Sequence, residues 1–155
     1  MDAVDPVAAQ QHASAPIPDL LRAAMGTKDT SAIMAFWNAY FRLPRWLMIA
    51  RGEAENVQPF VVVAGDRPTL LVFSDAAGAQ AIGRAAGLPE EDASKILALP
   101  MPDAVEWAAS FAQHGVQAVQ FDAHVDGGIV VPITNLSAMR NDLLGPPAGP
   151  PAPTG

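Results

Sequence analysis

The chain has 155 residues, a formal net charge of −7 and no cysteine, and 50% of its residues are hydrophobic. This length suits one domain, and a body of roughly 130 residues buries about two-thirds of its unfolded surface without needing a disulfide or a metal ion. The absence of cysteine excludes disulfides, thiolate catalysis and cysteine-ligated zinc. Lys and Arg together number 9, so the basic stripe that nucleic-acid binding needs is missing.

The two ends of the chain differ in composition from its middle. Residues 1–15 contain two aspartates and no apolar run, unlike a secretory signal. Residues 145–155 read GPPAGPPAPTG, a polyproline-type tail whose P-x-x-P spacing has no basic residue beside it. We therefore predict two disordered ends around a single domain over residues 16–144. No stretch reaches the ~20 apolar residues of a membrane span, so we expect a bacterial, cytoplasmic protein.

Apolar patterning in the first half of the domain predicts two helices followed by three strands. A short helix over residues 17–25 precedes a longer one that should end near Leu43, because Pro44 disfavours helical geometry in the residue before it. The longer helix carries one apolar stripe at helical spacing: Ile33, Phe36, Trp37, Tyr40 and Phe41. Three apolar runs then predict strands: residues 46–50, 58–64 and 69–74. We expect the last two to pair as an antiparallel hairpin.

The second half of the domain mixes helices and strands. Ser74 or Asp75 should cap a helix that ends at Gly87, where glycine commonly closes a helix. The elements predicted after it are a strand over 96–99, a helix from Pro102 to about His114, strands over 116–125 and 129–133, and a helix over 136–144. Pro132 lacks an N–H, so its strand should lie at an edge. The order ααβββαβαββα predicts an α+β (mixed α/β) fold, with a five- to six-stranded mixed sheet packed with helices.

One group of polar side chains has the composition of a metal site. Strand alternation through residue 125 would place Asp122, His124 and Asp126 on one face, within reach of a single divalent ion. The same residues are equally typical of the polar face of a strand that enters a tight turn at Asp126-Gly127-Gly128. We expect the second interpretation, so a metal-dependent enzyme that uses these residues is the least favoured of three hypotheses for function. We predict no bound metal.

The chain carries no recognisable catalytic or cofactor motif: no G-x-G-x-x-G, no phosphate loop and no G-x-S-x-G elbow. We therefore predict no catalytic residue and no cofactor. The leading hypothesis is a non-catalytic protein-interaction or self-association module, plausibly a homodimer, because the large apolar residues are numerous for one small core. The alternative is a domain that binds a small amino-acid-like or anionic metabolite beside the second helix. The candidate interaction or pocket residues are Trp37, Tyr40, Arg42, Arg45 and Trp107.

Three segments resemble a known family. They are the strand at residues 46–50, the run RPTLLVFSD at 67–75 before an Ala-rich helix, and ILALPMP at 96–102 before a helix, Gly115 and a final hairpin. Together they resemble the N-terminal domain of the SseB (enhanced serine sensitivity) proteins over about residues 31–144. Where that family has an Ile/Leu-Asn-Pro-Gly turn, this chain has FDAHVDG at 121–127. The resemblance implies the fold, and it implies neither an established activity nor catalytic residues.

Overall fold

A computed structural model describes residues 16–52 and 57–144 of the chain. The two ends that the sequence predicts to be disordered lie outside the described residues. The described helices are α1 (Ile17–Met25), α2 (Thr30–Phe41), α3 (Ala76–Ala85), the short α4 (Glu90–Ala93), α5 (Asp103–Ser110) and α6 (Leu136–Leu144). The described strands are β1 (Arg45–Arg51), β2 (Gln58–Pro59), β3 (Val61–Ala64), β4 (Arg67–Val72), β5 (Ile96–Pro100), β6 (Ala118–Phe121) and β7 (Ile129–Pro132). Two 3₁₀ turns, Phe111–His114 and Ile133–Asn135, follow α5 and β7.

The strands form a three-stranded sheet of order β2-β1-β5 and a four-stranded sheet of order β3-β4-β6-β7. All pairs are antiparallel except β4 with β6, which run parallel. An isolated bridge between Leu47 and Phe73 links the two sheets. The α+β class is thus confirmed, although the single sheet of five or six strands is replaced by two smaller ones. The predicted β3–β4 hairpin is confirmed, and β7 with its Pro132 lies at a sheet edge as expected.

Local sequence accounts for where the two central helices begin. Asp29 precedes α2 and accepts a hydrogen bond from the Ser31 amide, and Asp75 precedes α3 and accepts one from the Ala77 amide. Each carboxylate therefore satisfies an N–H that the first helical turn leaves without a partner. Helix α2 ends two residues earlier than expected, at Phe41.

The principal core lies between the sheets and α2, α5 and α6. Its centre is an aromatic cluster of fully buried rings, in which the Phe121 ring lies 5.1 Å from Tyr40 and 5.3 Å from Trp46, edge to face. Edge-to-face pairs add about 0.5–1.5 kcal/mol each beyond their buried area. A second, smaller core beneath α3 contains Ile49, Leu71, Phe73 and Ala79. The amphipathic stripe predicted on α2 is therefore the side of the helix that faces the principal core.

Strand β6 is shorter than the sequence predicts. It ends at Phe121, and the segment 122–128 connects it to β7 in place of the predicted tight turn at residues 126–128. The departure begins at Asp122, whose φ of 51° is left-handed and incompatible with a continuing strand. Gly128 ends the segment with a φ of 68°, and a Cβ there would collide with the Phe121 carbonyl oxygen.

Candidate functional site

The chemically richest part of the described structure lies where the parallel strands β4 and β6 end. Val72 is in register with Phe121, so the residues that follow each strand meet at one edge of the sheet, the edge formed by the carboxyl ends of its parallel strands. Ser74 follows β4 and leads into α3, while Asp122 follows β6. In open α/β sheets this is the edge at which ligands bind. The side chains at this edge therefore decide whether a binding site is present there.

The Asp122 carboxylate is fully buried and occupied by three donors. The Tyr40 hydroxyl donates to Oδ1 at 3.0 Å, the Ser74 amide donates to Oδ1 at 2.7 Å, and the Ser74 hydroxyl donates to Oδ2 at 2.6 Å. A buried carboxylate persists only when such donors replace its lost hydration. We call these three residues the aspartate clasp, because they join the ends of β4 and β6 to helix α2.

The clasp also determines the acid–base behaviour of Tyr40, the only tyrosine in the chain. Burial raises the pKa of the Tyr40 hydroxyl well above its ordinary value, and the nearby negative charge and hydrogen bond of Asp122 raise that pKa further. The phenol therefore remains a proton donor to Asp122 throughout the neutral range. The sequence suggested helix capping for Ser74, but Asp75 supplies the cap, and Ser74 instead holds Asp122.

His124 packs against helix α3 rather than beside Asp122. A Cβ built on Gly78 would lie 2.3 Å from the His124 ring, so only glycine leaves space for the imidazole there. Phe73 is a second neighbour, with its ring centroid 5.9 Å from that of His124. Nδ1 of His124 is buried without a hydrogen-bond partner among the described residues. The ring thus anchors the segment 122–128 to α3 by packing.

The structure separates the three residues proposed as metal ligands. Asp126 is exposed and pairs with Arg22 at 3.2 Å, whereas Asp122 is enclosed in the clasp and His124 lies on α3. The expectation of a shared strand face was wrong, since β6 ends at Phe121 and Asp122 and Asp126 both have a positive φ. Within residues 16–52 and 57–144, no group of three or more acidic or histidine side chains is placed to hold a metal ion.

The candidate interaction residues differ in how far they are buried. Tyr40 is fully buried and offers no exposed surface, whereas Trp37 is 7% exposed and lines a hollow on α2. Trp107 is half-buried against Phe111, with ring centroids 4.7 Å apart. Tyr40, predicted as an interaction or pocket residue, is therefore a core residue of the clasp.

Helices α2 and α6 together form two hollows. The first, which we call the helical groove, has a volume of about 270 Å³ and is lined by Ile33, Met34, Trp37, Met139, Asp142 and Leu143. The second, which we call the arginine cavity, has a volume of about 520 Å³, and its lining includes Phe41, Arg42, Leu43, Met101, Arg140 and Leu144. Of the two arginines among the candidate pocket residues, Arg42 lines the arginine cavity and Arg45 does not.

Sequence reasoning missed the residues that α6 contributes to both hollows. Arg140 and Met139 carry no sequence signal, because α6 is short and weakly amphipathic and its sequence does not reveal which side faces α2. Met34 directly follows Ile33, the first residue of the predicted stripe, and nothing in the sequence pattern marks it; its 39% exposure is visible only in the structure.

No described helix is long and apolar enough to cross a membrane. Comparison of the chain with protein-family models, with curated proteins and with solved structures gives no match. The resemblance to the SseB N-terminal domain therefore stays a prediction from the sequence.

Proposed function

We propose that this domain is a non-catalytic, cytoplasmic protein-interaction module that docks an apolar and basic segment of a partner protein in the helical groove. The observation that carries the proposal is the exposure of Met34, 39% accessible in the wall of a hollow that is otherwise apolar apart from Asp142. A helix-lined apolar groove suits the binding mode in which a partner inserts large side chains at helical spacing.

The composition of the groove favours adaptable recognition. Two of its six lining residues are methionines, Met34 and Met139, and unbranched thioether side chains adjust to differently shaped partners. Trp37 also lines the groove, with 7% of its surface exposed, and aromatic residues are enriched at interaction hot spots. The groove is therefore suited to receive two or three apolar side chains of a partner.

Charge favours a basic partner over a second copy of the chain. The chain carries a net charge of −7 and has a sequence pI of about 4.7, so two copies repel each other at neutral pH. Asp142 lines the groove and is exposed, which places a carboxylate beside the apolar surface. A lysine or arginine next to the inserted side chains would meet this carboxylate, and the partner segment is accordingly both apolar and basic.

The arrangement of the aspartate clasp supports the non-catalytic part of the proposal. Asp122 and Ser74 are the residue types of acid–base and nucleophilic catalysis, but each is engaged by the other. Because the carboxylate has no exposed surface, it does not reach a substrate without opening the core. We therefore assign the binding surface to the helical groove between α2 and α6.

The exposed methionines provide a matched test. A fluorescently labelled amphipathic peptide of leucine and lysine serves as the probe, and its binding is measured by anisotropy. Met34→Lys and Met25→Lys add the same charge at positions that are 39% and 41% exposed, but only Met34 lines the groove. We expect Met34→Lys to weaken binding ~10-fold, since a buried Met contributes about 1.5–3 kcal/mol, and Met25→Lys to change it less than ~2-fold.

Two outcomes would overturn the proposal. Equal weakening by both variants would show that the peptide responds to net charge and not to the groove. A dimer in light scattering that Met34→Lys dissociates would assign the groove to a second copy of the chain instead.

A further inference from the structure

We propose that the outer edge of strand β3 is a second docking site, at which an extended segment of a partner protein adds a strand to the four-stranded sheet. This site is separate from the helical groove and does not depend on the function proposed for it. The sheet has two edge strands, and one of them, β7, contains Pro132, whose missing N–H removes a ladder donor. The other, β3 (Val61–Ala64), contains neither the proline nor the charged side chains that commonly protect an edge strand.

The register of the sheet fixes which backbone groups of β3 point outwards. Val63 pairs with Pro68 of β4, and the Pro68 carbonyl oxygen accepts a hydrogen bond at 2.9 Å from the Gln117 amide on the opposite side of β4. Pro68 therefore faces away from β3, and its pair with Val63 is one of those without mutual hydrogen bonds. Such pairs alternate along an antiparallel ladder, so Val61 and Val63 direct their N–H and C=O groups away from β4.

These outward groups are open to a partner. Across residues 16–52 and 57–144, no backbone or side-chain group outside β4 is hydrogen-bonded to Val61 or Val63. The side chain of Val63 is 69% exposed, the highest value among the large hydrophobic residues that the structure describes. An added strand would lie ~4.8 Å beyond β3, where it would pair with these groups and cover Val63.

A pocket adjoins this edge. It has a volume of about 250 Å³, and we call it the edge pocket; its lining includes Pro59, Val61, Pro68, Phe111, His114 and Val116. Because side chains alternate along a strand, Val63 lies on the same face of the sheet as Val61. The volume is below the ~300–1,000 Å³ of ordinary small-molecule sites, and it suits a side chain of an added strand. In strand addition the main-chain hydrogen bonds give affinity, and such pockets select the side chains.

Charge determines the kind of segment that the edge accepts. Strand β3 carries no charged side chain, and Asp66 and Arg67 in the turn that follows it have opposite charges. The whole chain has a net charge of −7, so it repels a second copy of itself and attracts a partner with basic residues. The occupant is accordingly an extended segment of a different protein, apolar where it pairs with β3 and flanked by lysine or arginine.

The first test asks whether main-chain hydrogen bonds hold the segment. The probe is a fluorescently labelled peptide of alternating valine and threonine with lysines at each end, and its binding to the full chain is measured by anisotropy. One version is N-methylated on its valines and a second on its threonines. Only alternate amides of a strand face its neighbour, so we expect one version to bind at least ~10-fold more weakly and the other to bind like the parent peptide.

Hydrogen exchange tests the direction of the backbone groups. The amides of Val61 and Val63 should exchange rapidly in the free chain and slowly with the peptide bound, because binding supplies their acceptors. The Val62 amide is the internal control, since it faces β4 and should exchange slowly in both states.

Two exposed valines provide matched variants. Val63→Lys and Val130→Lys add the same charge on the two edge strands of one sheet, at positions that are 69% and 49% exposed. We expect Val63→Lys to weaken binding of the peptide ~10-fold and Val130→Lys to change it less than ~2-fold. Val63→Lys should leave binding of the leucine–lysine peptide in the helical groove unchanged, so failure of one proposal is distinguishable from failure of the other.

Four results would overturn the proposal. They are equal binding of both N-methylated versions, exchange of the Val61 and Val63 amides that the peptide does not slow, and equal weakening by Val63→Lys and Val130→Lys. The fourth is a dimer in light scattering that Val63→Lys dissociates, which would assign the edge to a second copy of the chain.

Discussion

The aspartate clasp should be one of the largest single contributions to stability in this domain. Asp122→Ala leaves the Tyr40 hydroxyl and both Ser74 donors without their acceptor. A buried polar group without a partner costs about 1–3 kcal/mol, and the upper part of that range applies to Tyr40, which is fully buried. Alanine at a φ of 51° adds ~1 kcal/mol of backbone strain. The expected loss is roughly 4 kcal/mol, against a typical total of about 5–15 kcal/mol.

Asp126→Ala is the control for this measurement. Asp126 has a φ of 52°, so alanine there carries the same backbone strain, but the residue is exposed and loses only its ion pair with Arg22. An exposed ion pair contributes about 0–1 kcal/mol. Urea unfolding followed by far-UV circular dichroism should therefore place Asp122→Ala roughly 3 kcal/mol below Asp126→Ala in free energy of unfolding. A difference under ~1 kcal/mol would refute the assignment of the clasp as a buried structural network.

Three further predictions concern other parts of the fold. Burial and the neighbouring Asp122 raise the pKa of Tyr40 above its ordinary value of 10.0. The ionisation of Tyr40 should therefore leave the free energy of unfolding unchanged below pH 10.0 and lower it by ~1.4 kcal/mol per pH unit above that pH. The phenolate absorbance of this single tyrosine should appear together with the loss of circular dichroism. Gly78→Ala should destabilise the domain by ~2 kcal/mol through its clash with the His124 ring, and a second substitution, His124→Ala, should restore most of that loss in a double-mutant cycle. Pro132→Val should promote aggregation in light scattering, since it restores an N–H on the edge strand β7, and a variant as monomeric as the parent chain would contradict this.

The parts of the fold that the sequence predicts well are those with local causes. The stripe on α2 repeats over several turns, and Asp29 and Asp75 precede their helices at positions where a capping carboxylate is expected. Pro132 marks an edge strand because its missing N–H is a property of the residue itself. Such signals act within a few residues, so a single sequence contains them in full.

The clasp has long-range causes, and the sequence alone does not contain them. Tyr40 and Asp122 are separated by 82 residues along the chain, and nothing near either residue indicates that they will meet. The alternation of residues 116–125 predicts a continuous strand, but the demand of a buried carboxylate for donors outweighs the strand propensity at Asp122. Aspartate tolerates a positive φ better than most residues, and this was the one local signal that the strand could end there.

The position of the clasp explains why the candidate binding surfaces lie elsewhere. The carboxyl ends of the parallel strands β4 and β6 form the edge at which α/β sheets bind ligands, and in such sheets the cofactor or substrate occupies a crevice at that point. Here the Asp122 side chain fills this position and draws its donors from Ser74 and from α2. Helix α2 carries Met34 on its accessible side and is followed directly by Arg42. Asp122 therefore closes the carboxyl edge of the sheet and, through Tyr40, also holds α2 in place. A variant that opens the clasp should consequently disturb both hollows at once, whereas Met34→Lys should disturb only the helical groove.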